Sequence, residues 1–168
     1  DERLYSPGGV DAKALARAVA YLGAKGGGTT LTQQLAKMQY NEPARNLVER
    51  IGQKLGEWII AVQLERLYTK DEIIALYLNQ LDFLYQAVGI NSAARVYFNK
   101  KPIDLTIEEA AVFVAMAKNP SLYNPKRYPE RTKQRRDQVF VQMVKNGLLT
   151  VAEKDSLQQI PLQLEFRP

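Results

Sequence analysis

Three groups of side chains in this sequence have the types and spacing for chemistry. In the first, Glu57 follows Lys54 by one helical turn and sits beside Trp58 at the edge of an apolar-periodic stretch. Partial desolvation there would suit a carboxyl group to catalysis. The plainer reading is a surface i,i+3 ion pair worth about 0.3 to 0.5 kcal/mol. The second group is the run Gly26-Gly27-Gly28-Thr29-Thr30-Leu31-Thr32-Gln33-Gln34-Leu35-Ala36-Lys37. Its glycines let backbone come close to a ligand, and Thr30 with Gln33 is a capping-box signature that opens a helix at Thr30. The first turn then offers free backbone N–H groups, the Thr32 hydroxyl and the Gln33 and Gln34 amides, with Lys37 two turns along. Such donors suit an anionic ligand. The alternative is a glycine linker followed by an ordinary helix whose Leu31, Leu35 and Met38 face a core. A P-loop is excluded, because no Lys-Ser or Lys-Thr follows the last glycine. The third group is Arg135-Arg136, which ends a basic run containing Lys126, Arg127, Arg131 and Lys133. Guanidinium groups bind phosphate oxygens bidentately, although a basic helix face is more often simply solvated.

Composition narrows the classes. The 168 residues, 46% of them hydrophobic, suffice for one well-buried domain. A net charge of +5 favours anionic partners: phosphates, nucleic acid or an acidic membrane surface. The sequence contains no cysteine, which removes disulfides, thiolate nucleophiles and zinc-cysteine sites. It contains no histidine, so a Ser-His-Asp mechanism is ruled out and acid-base work rests on carboxylates, Lys or Tyr. No run of about eighteen apolar residues is present.

The elements that must position these groups are helices. Asp11 caps a first helix carrying Leu15, Val19 and Leu22, which ends at the glycines. After the Thr30 helix, Asn46 opens the longest one, in which Leu47, Ile51, Leu55, Trp58 and Val62 recur at spacings of three and four; this predicts one buried stripe and the main core helix. Thr69 with Glu72, Thr106 with Glu109 and Thr150 with Glu153 are further capping boxes. Residues 80–90 read as irregular and Asn91 to Phe98 as a short helix. Asn119-Pro120 stops the Thr106 helix, a helix runs from about Glu130 to Asn146 with Gly147 as its cap, and the tail from Ile160 alternates apolar and polar residues. With no hairpin signal, the fold class is all-α.

Several of these stretches carry a resemblance. Gly27 to Lys37 resembles the G-G-S-T-I-T-Q-Q-L-x-K motif of the peptidoglycan glycosyltransferases found in class A penicillin-binding proteins and their monofunctional relatives, with Thr29 for serine. Gln53-Lys54-Leu55-Gly56-Glu57 is similar to the family's R-K-x-x-E, with Gln53 for arginine. Lys70 to Asn79 resembles K-x-x-I-L-x-x-Y-L-N, a motif best read as scaffold. Arg135 to Phe140 resembles R-R-x-x-V-L. Asp1-Glu2-Arg3-Leu4-Tyr5 through Gly9-Val10-Asp11 resembles the end of E-D-x-x-F-Y-x-H-x-G-x-D, with Pro7 where histidine is usual.

The resemblance implies a lysozyme-like helical domain over residues 1–168, with a small membrane-facing jaw at about 38–51 whose Arg45 and Arg50 suit anionic headgroups. It implies a fragment of a longer membrane-anchored protein, at the extracytoplasmic face of the bacterial cytoplasmic membrane. The implied activity is polymerisation of lipid II into β-1,4-linked glycan strands, with inversion and release of undecaprenyl diphosphate. The general base would be a glutamate immediately before Asp1, and Glu57 the second carboxylate. Donor binding would fall to Lys37, Gln33, Gln34, Thr32, Thr30, Lys54 and Arg135, with Arg136 and Arg3 behind them. Implied partners are lipid II, the growing strand, moenomycin-type inhibitors and the membrane surface. A magnesium or manganese ion bridging the diphosphate is admitted, though no ligand cluster demands one. Rival readings are a lysozyme-like hydrolase, which needs no diphosphate site, and a degenerate domain that binds lipid II without turnover. A nucleic-acid module is set aside, since no helix-turn-helix signature is present and the cations are scattered.

Overall fold

Helix boundaries follow local side-chain chemistry in the computed structural model, which describes residues 31–38 and 46–168. Helix α1 spans Leu31–Lys37, α2 Leu47–Leu67, α3 Lys70–Gln80, α4 Gly89–Phe98, α5 Ile107–Lys118, α6 Pro129–Lys145 and α7 Val151–Gln159, with a 3-10 turn at Pro102–Asp104. The Asn46 side chain caps α2 by accepting from the Glu49 N–H at 2.8 Å. Thr69 and Glu72 exchange hydrogen bonds at the start of α3, and Thr150 and Glu153 do the same at α7. At α5 the Glu109 carboxylate accepts from the Thr106 N–H at 3.0 Å and also holds Lys100. The capping box at Thr30 and the helix after Asp11 lie outside the described residues.

Among the described residues the one β pairing is an isolated bridge between Asp82 and Val88, so the fold is all-α as the periodicity predicts. That bridge closes a tight loop in which three consecutive non-glycine residues, Leu84, Tyr85 and Gln86, have φ of 70°, 52° and 61°. Left-handed backbone costs L-residues about 1 to 2 kcal/mol each. Here Asp82 Oδ1 accepts from the Leu84 N–H at 2.7 Å, and Asn124 Nδ2 donates to the Tyr85 hydroxyl at 3.2 Å. Gly89 follows at φ 79°, where a Cβ would lie 2.7 Å from the Asn79 carbonyl oxygen. Only glycine fits there.

The central helix is α5. Residues 110 to 116 are all buried, because its sequence is apolar on every face. Phe113 meets Phe83, Tyr97 and Phe98 edge-on at centroid distances of 5.3, 6.0 and 5.4 Å. The tail after Ile160 is extended as its alternation predicts. Leu162, Leu164 and Phe166 pack inward, while the Glu165 and Arg167 N–H groups donate to the Tyr97 and Val96 carbonyls.

Helix α2 departs from expectation. It is the longest described helix, but Leu47, Ile51, Leu55 and Trp58 are exposed, and its buried residues are Glu57 and Ala61. Leu64 packs on the core beside them. A 3.6-residue repeat shows that one face is apolar and says nothing of what that face meets. Glu57 and Ala61 are buried where α2 meets the core.

Candidate functional site

The site residues on α2 are held by the inversion just described. Glu57 is turned inward and is only 5% exposed. Its Oε2 accepts from Lys54 Nζ at 2.6 Å, and the Lys54 side chain remains 62% exposed. A buried carboxylate needs a charged or hydrogen-bonding partner, and Lys54 supplies one from the solvent side. The pair is therefore more than a solvated i,i+3 contact: the carboxylate is anchored in the fold and fixes where the ammonium points.

Helix α1 packs against α2 and α3. Leu35 and Ala36 are buried and Leu31 and Met38 partly so, which is the core face the periodicity predicts. Its polar residues divide. Thr32 is buried, Gln33 and Gln34 are half-buried, and Lys37 is exposed at the helix end. Leu31 touches both apolar clusters of the core, so the beginning of α1 lies where α5 and α6 meet.

The arginine pair on α6 splits. Arg136 is 1% exposed; its Nε and Nη2 donate to Asp137 Oδ1 at 3.1 and 2.9 Å, and Nη2 also donates to the Ile160 carbonyl at 2.8 Å. It ties the extended tail to α6. Arg135 is half-buried, lies over the Tyr123 ring at 5.8 Å and donates from Nη1 to Gln138. Its Nε is buried without a hydrogen-bond partner. Successive helix residues point about 100° apart, which is why two adjacent arginines face different surroundings.

Thr30, Arg3 and the acidic pair Asp1-Glu2 lie outside the described residues. The role of one organising residue, Asn124 in the proline-bearing segment Tyr123-Asn124-Pro125, was not read from the sequence. Asn124 is buried, and its Oδ1 accepts from the Lys126 and Arg127 N–H groups at 3.0 and 3.1 Å, which shapes the basic loop before α6. The Asn-Pro-Lys-Arg turn was its signal, since Asn side chains commonly bond backbone two or three residues on. That loop sets Lys126 Nζ 3.8 Å from the Phe166 ring centroid. A cavity of about 610 Å³ is lined by Tyr85, Gln86, Ser92, Arg95, Val96 and Pro168, none of which the sequence marked for chemistry. Among the described residues no group of three or more His, Cys, Asp or Glu side chains could hold a metal ion.

Comparison with known proteins bears on this arrangement. A family profile described as Transglycosylase matches residues 1–144. The chain is 40% identical to penicillin-binding protein 1F of Bacillus subtilis (strain 168), over 99% of its own length and 23% of that protein. It is 38% identical to penicillin-binding protein 1A of Escherichia coli (strain K12), over 92% of its length and 18% of that protein. A crystal structure of penicillin-binding protein 1A from Haemophilus influenzae superposes with a TM-score of 0.55 at 25% identity, covering 81% of this chain and 17% of that one. The chain thus spans less than a quarter of the relatives it matches.

Proposed function

The chain belongs to the transglycosylase family, with the lysozyme-like helical fold of its penicillin-binding-protein relatives, and from that membership we propose that it polymerises lipid II into glycan strands. The acceptor's 4-hydroxyl attacks the donor's anomeric carbon, the bond to the diphosphate breaks with inversion, and undecaprenyl diphosphate leaves. The base that takes the hydroxyl proton is the glutamate that the family motif puts before Asp1. The reaction takes place at the extracytoplasmic face of the bacterial cytoplasmic membrane, with residues 38–51 as the jaw of a single glycosyltransferase domain.

The observation that carries this reading is the Lys54–Glu57 pair. Negative charge grows on the diphosphate as the bond breaks, and cations already oriented towards it lower the barrier most. Glu57, anchored in the fold, holds the Lys54 ammonium in one direction while leaving it open to solvent. Lys37, exposed at the end of the neighbouring helix, and Arg135, half-buried on α6, supply further charge. Gln33, Gln34 and Thr32 line the same short helix, and Thr30 precedes it. Arg136 acts from behind by holding the segment that follows α7. Magnesium or manganese, where bound, would add positive charge at the diphosphate; among the described residues no group of three or more His, Cys, Asp or Glu side chains could hold it.

The test is turnover of lipid II by the whole protein. Lysozyme-sensitive strands should accumulate with the native sequence and fall by at least about 100-fold with Glu57→Gln, the loss that misplacing one catalytic group brings. Shortening of preformed strands without polymer formation would replace this reading with the hydrolase.

A further inference from the structure

The cavity of about 610 Å³ beside α4 is lined by none of the residues assigned to the donor site. Its volume falls within the range of small-molecule sites, about 300 to 1,000 Å³. Two independent observations set it apart from an ordinary surface hollow.

The first is the backbone. One wall is made by Tyr85 and Gln86, two of the three consecutive residues at positive φ. The chain uses glycine at positions 89 and 147, where φ is also positive, yet keeps side chains at 84 to 86. Left-handed non-glycine residues persist where the surroundings over-determine them, and they collect at ligand clamps. Here the Tyr85 ring is fixed edge-on against Tyr97 and Phe166, at 6.1 and 5.0 Å, and its hydroxyl accepts from Asn124. The loop thus presents a rigid aromatic wall with the exposed Gln86 next to it.

The second observation is the set of polar groups. Ser92, Arg95 and Val96 stand three and four residues apart on α4 and so share one side of it. Arg95 is exposed and Ser92 half-buried. Among the described residues, the side chains of Gln86, Ser92 and Arg95 make no hydrogen bond or ion pair. None of the described lining residues is Asp or Glu. A guanidinium, a hydroxyl and a primary amide therefore line one cavity with their hydrogen-bonding capacity unused, between apolar surfaces of Tyr85, Val96 and Pro168.

We propose that this cavity binds a short peptide by its free C-terminal carboxylate. Arg95 pairs with the carboxylate, because a guanidinium meets both oxygens in one plane. Ser92, one turn earlier, donates to the same group. Capture of a peptide terminus in this way is a recurring mode of recognition. A single cation matches one carboxylate, whereas a diphosphate or a nucleic-acid backbone calls for several. The Gln86 amide carries both donor and acceptor and so pairs with a peptide group. Tyr85, Val96 and Pro168 leave room for small apolar side chains. The site stands apart from glycosyl transfer and does not rest on the lipid II reading.

The test is titration of the isotope-labelled 168-residue chain with N-acetyl-Ala-Ala, followed through backbone amide chemical shifts. Saturable shifts clustered on residues 85–96 are expected. Arg95→Gln, shown to be folded by circular dichroism, should weaken the affinity at least tenfold, and so should conversion of the peptide's carboxylate to an amide. Absence of shifts at millimolar peptide overturns the proposal, as do shifts centred elsewhere or equal binding of the amide. Equal shifts from acetate or inorganic phosphate reduce the site to a lone surface cation and overturn the peptide assignment. Lipid II turnover, measured in parallel, should be the same for Arg95→Gln and the native sequence. A loss confined to the variant overturns the separation of the two sites, while no turnover in either counts against the glycosyltransferase reading alone.

Discussion

Arg135 and Arg136 are adjacent and identical in type, and the fold uses them in opposite ways. Arg136→Ala removes a fully buried guanidinium from Asp137 and the Ile160 carbonyl. It should cost about 3 kcal/mol or more in denaturant unfolding, as for other broken buried pairs. Arg135→Ala should leave stability within about 1 kcal/mol and act instead on donor affinity. Equilibrium unfolding beside inhibitor binding checks both. The sequence reading ranked both arginines as phosphate contacts because a motif gives residue types without the roughly 100° turn between neighbours. Lys54 and Glu57 were legible as a pair from their spacing. Partial desolvation of Glu57 was also expected, but from the Trp58 stripe, whereas that stripe is exposed and Glu57 is buried with Ala61 instead, since burial depends on which face of α2 meets the core.

At the scale of elements, the helix ends were the most legible feature, because capping is local chemistry. Asn46, Thr69, Thr106 and Thr150 each precede a helix at the residue expected. The orientation of α2 was illegible for the converse reason: which partner covers an apolar stripe is not a local property. The all-apolar α5 took the centre instead. The turn before α4 gives a second prediction. Gly89→Ala puts a Cβ 2.7 Å from the Asn79 carbonyl oxygen at φ 79°. A loss of at least about 1 to 2 kcal/mol from the backbone conformation alone is expected, read as a lowered thermal midpoint.

For the whole molecule, pH should define a stability plateau with a separate cause on each side. The Thr69 and Thr150 backbone N–H groups hold the Glu72 and Glu153 carboxyls below their ordinary range. Because the folded-state values are depressed, these contributions are present above the ordinary carboxylate range and are lost as pH falls through the depressed values. Tyr97, buried with its hydroxyl donating to the Phe83 carbonyl at 2.6 Å, is shifted upward by desolvation, as is Tyr77. Their contributions are complete below about pH 10 and fade as pH climbs towards the raised values. Tyr97→Phe should cost about 1 to 2 kcal/mol at neutral pH and flatten part of the alkaline limb, followed by thermal unfolding across pH.

The most direct test of the central claim, an anionic lipid-phosphate donor held between α1 and α2, is equilibrium binding of labelled moenomycin, which mimics that donor. Native chain is compared with Lys37→Ala and Glu57→Gln. Saturable binding, weakened at least tenfold or about 1.4 kcal/mol by Lys37→Ala, is the predicted result. A folded sample that binds none, or binds equally well without Lys37, would contradict the assignment.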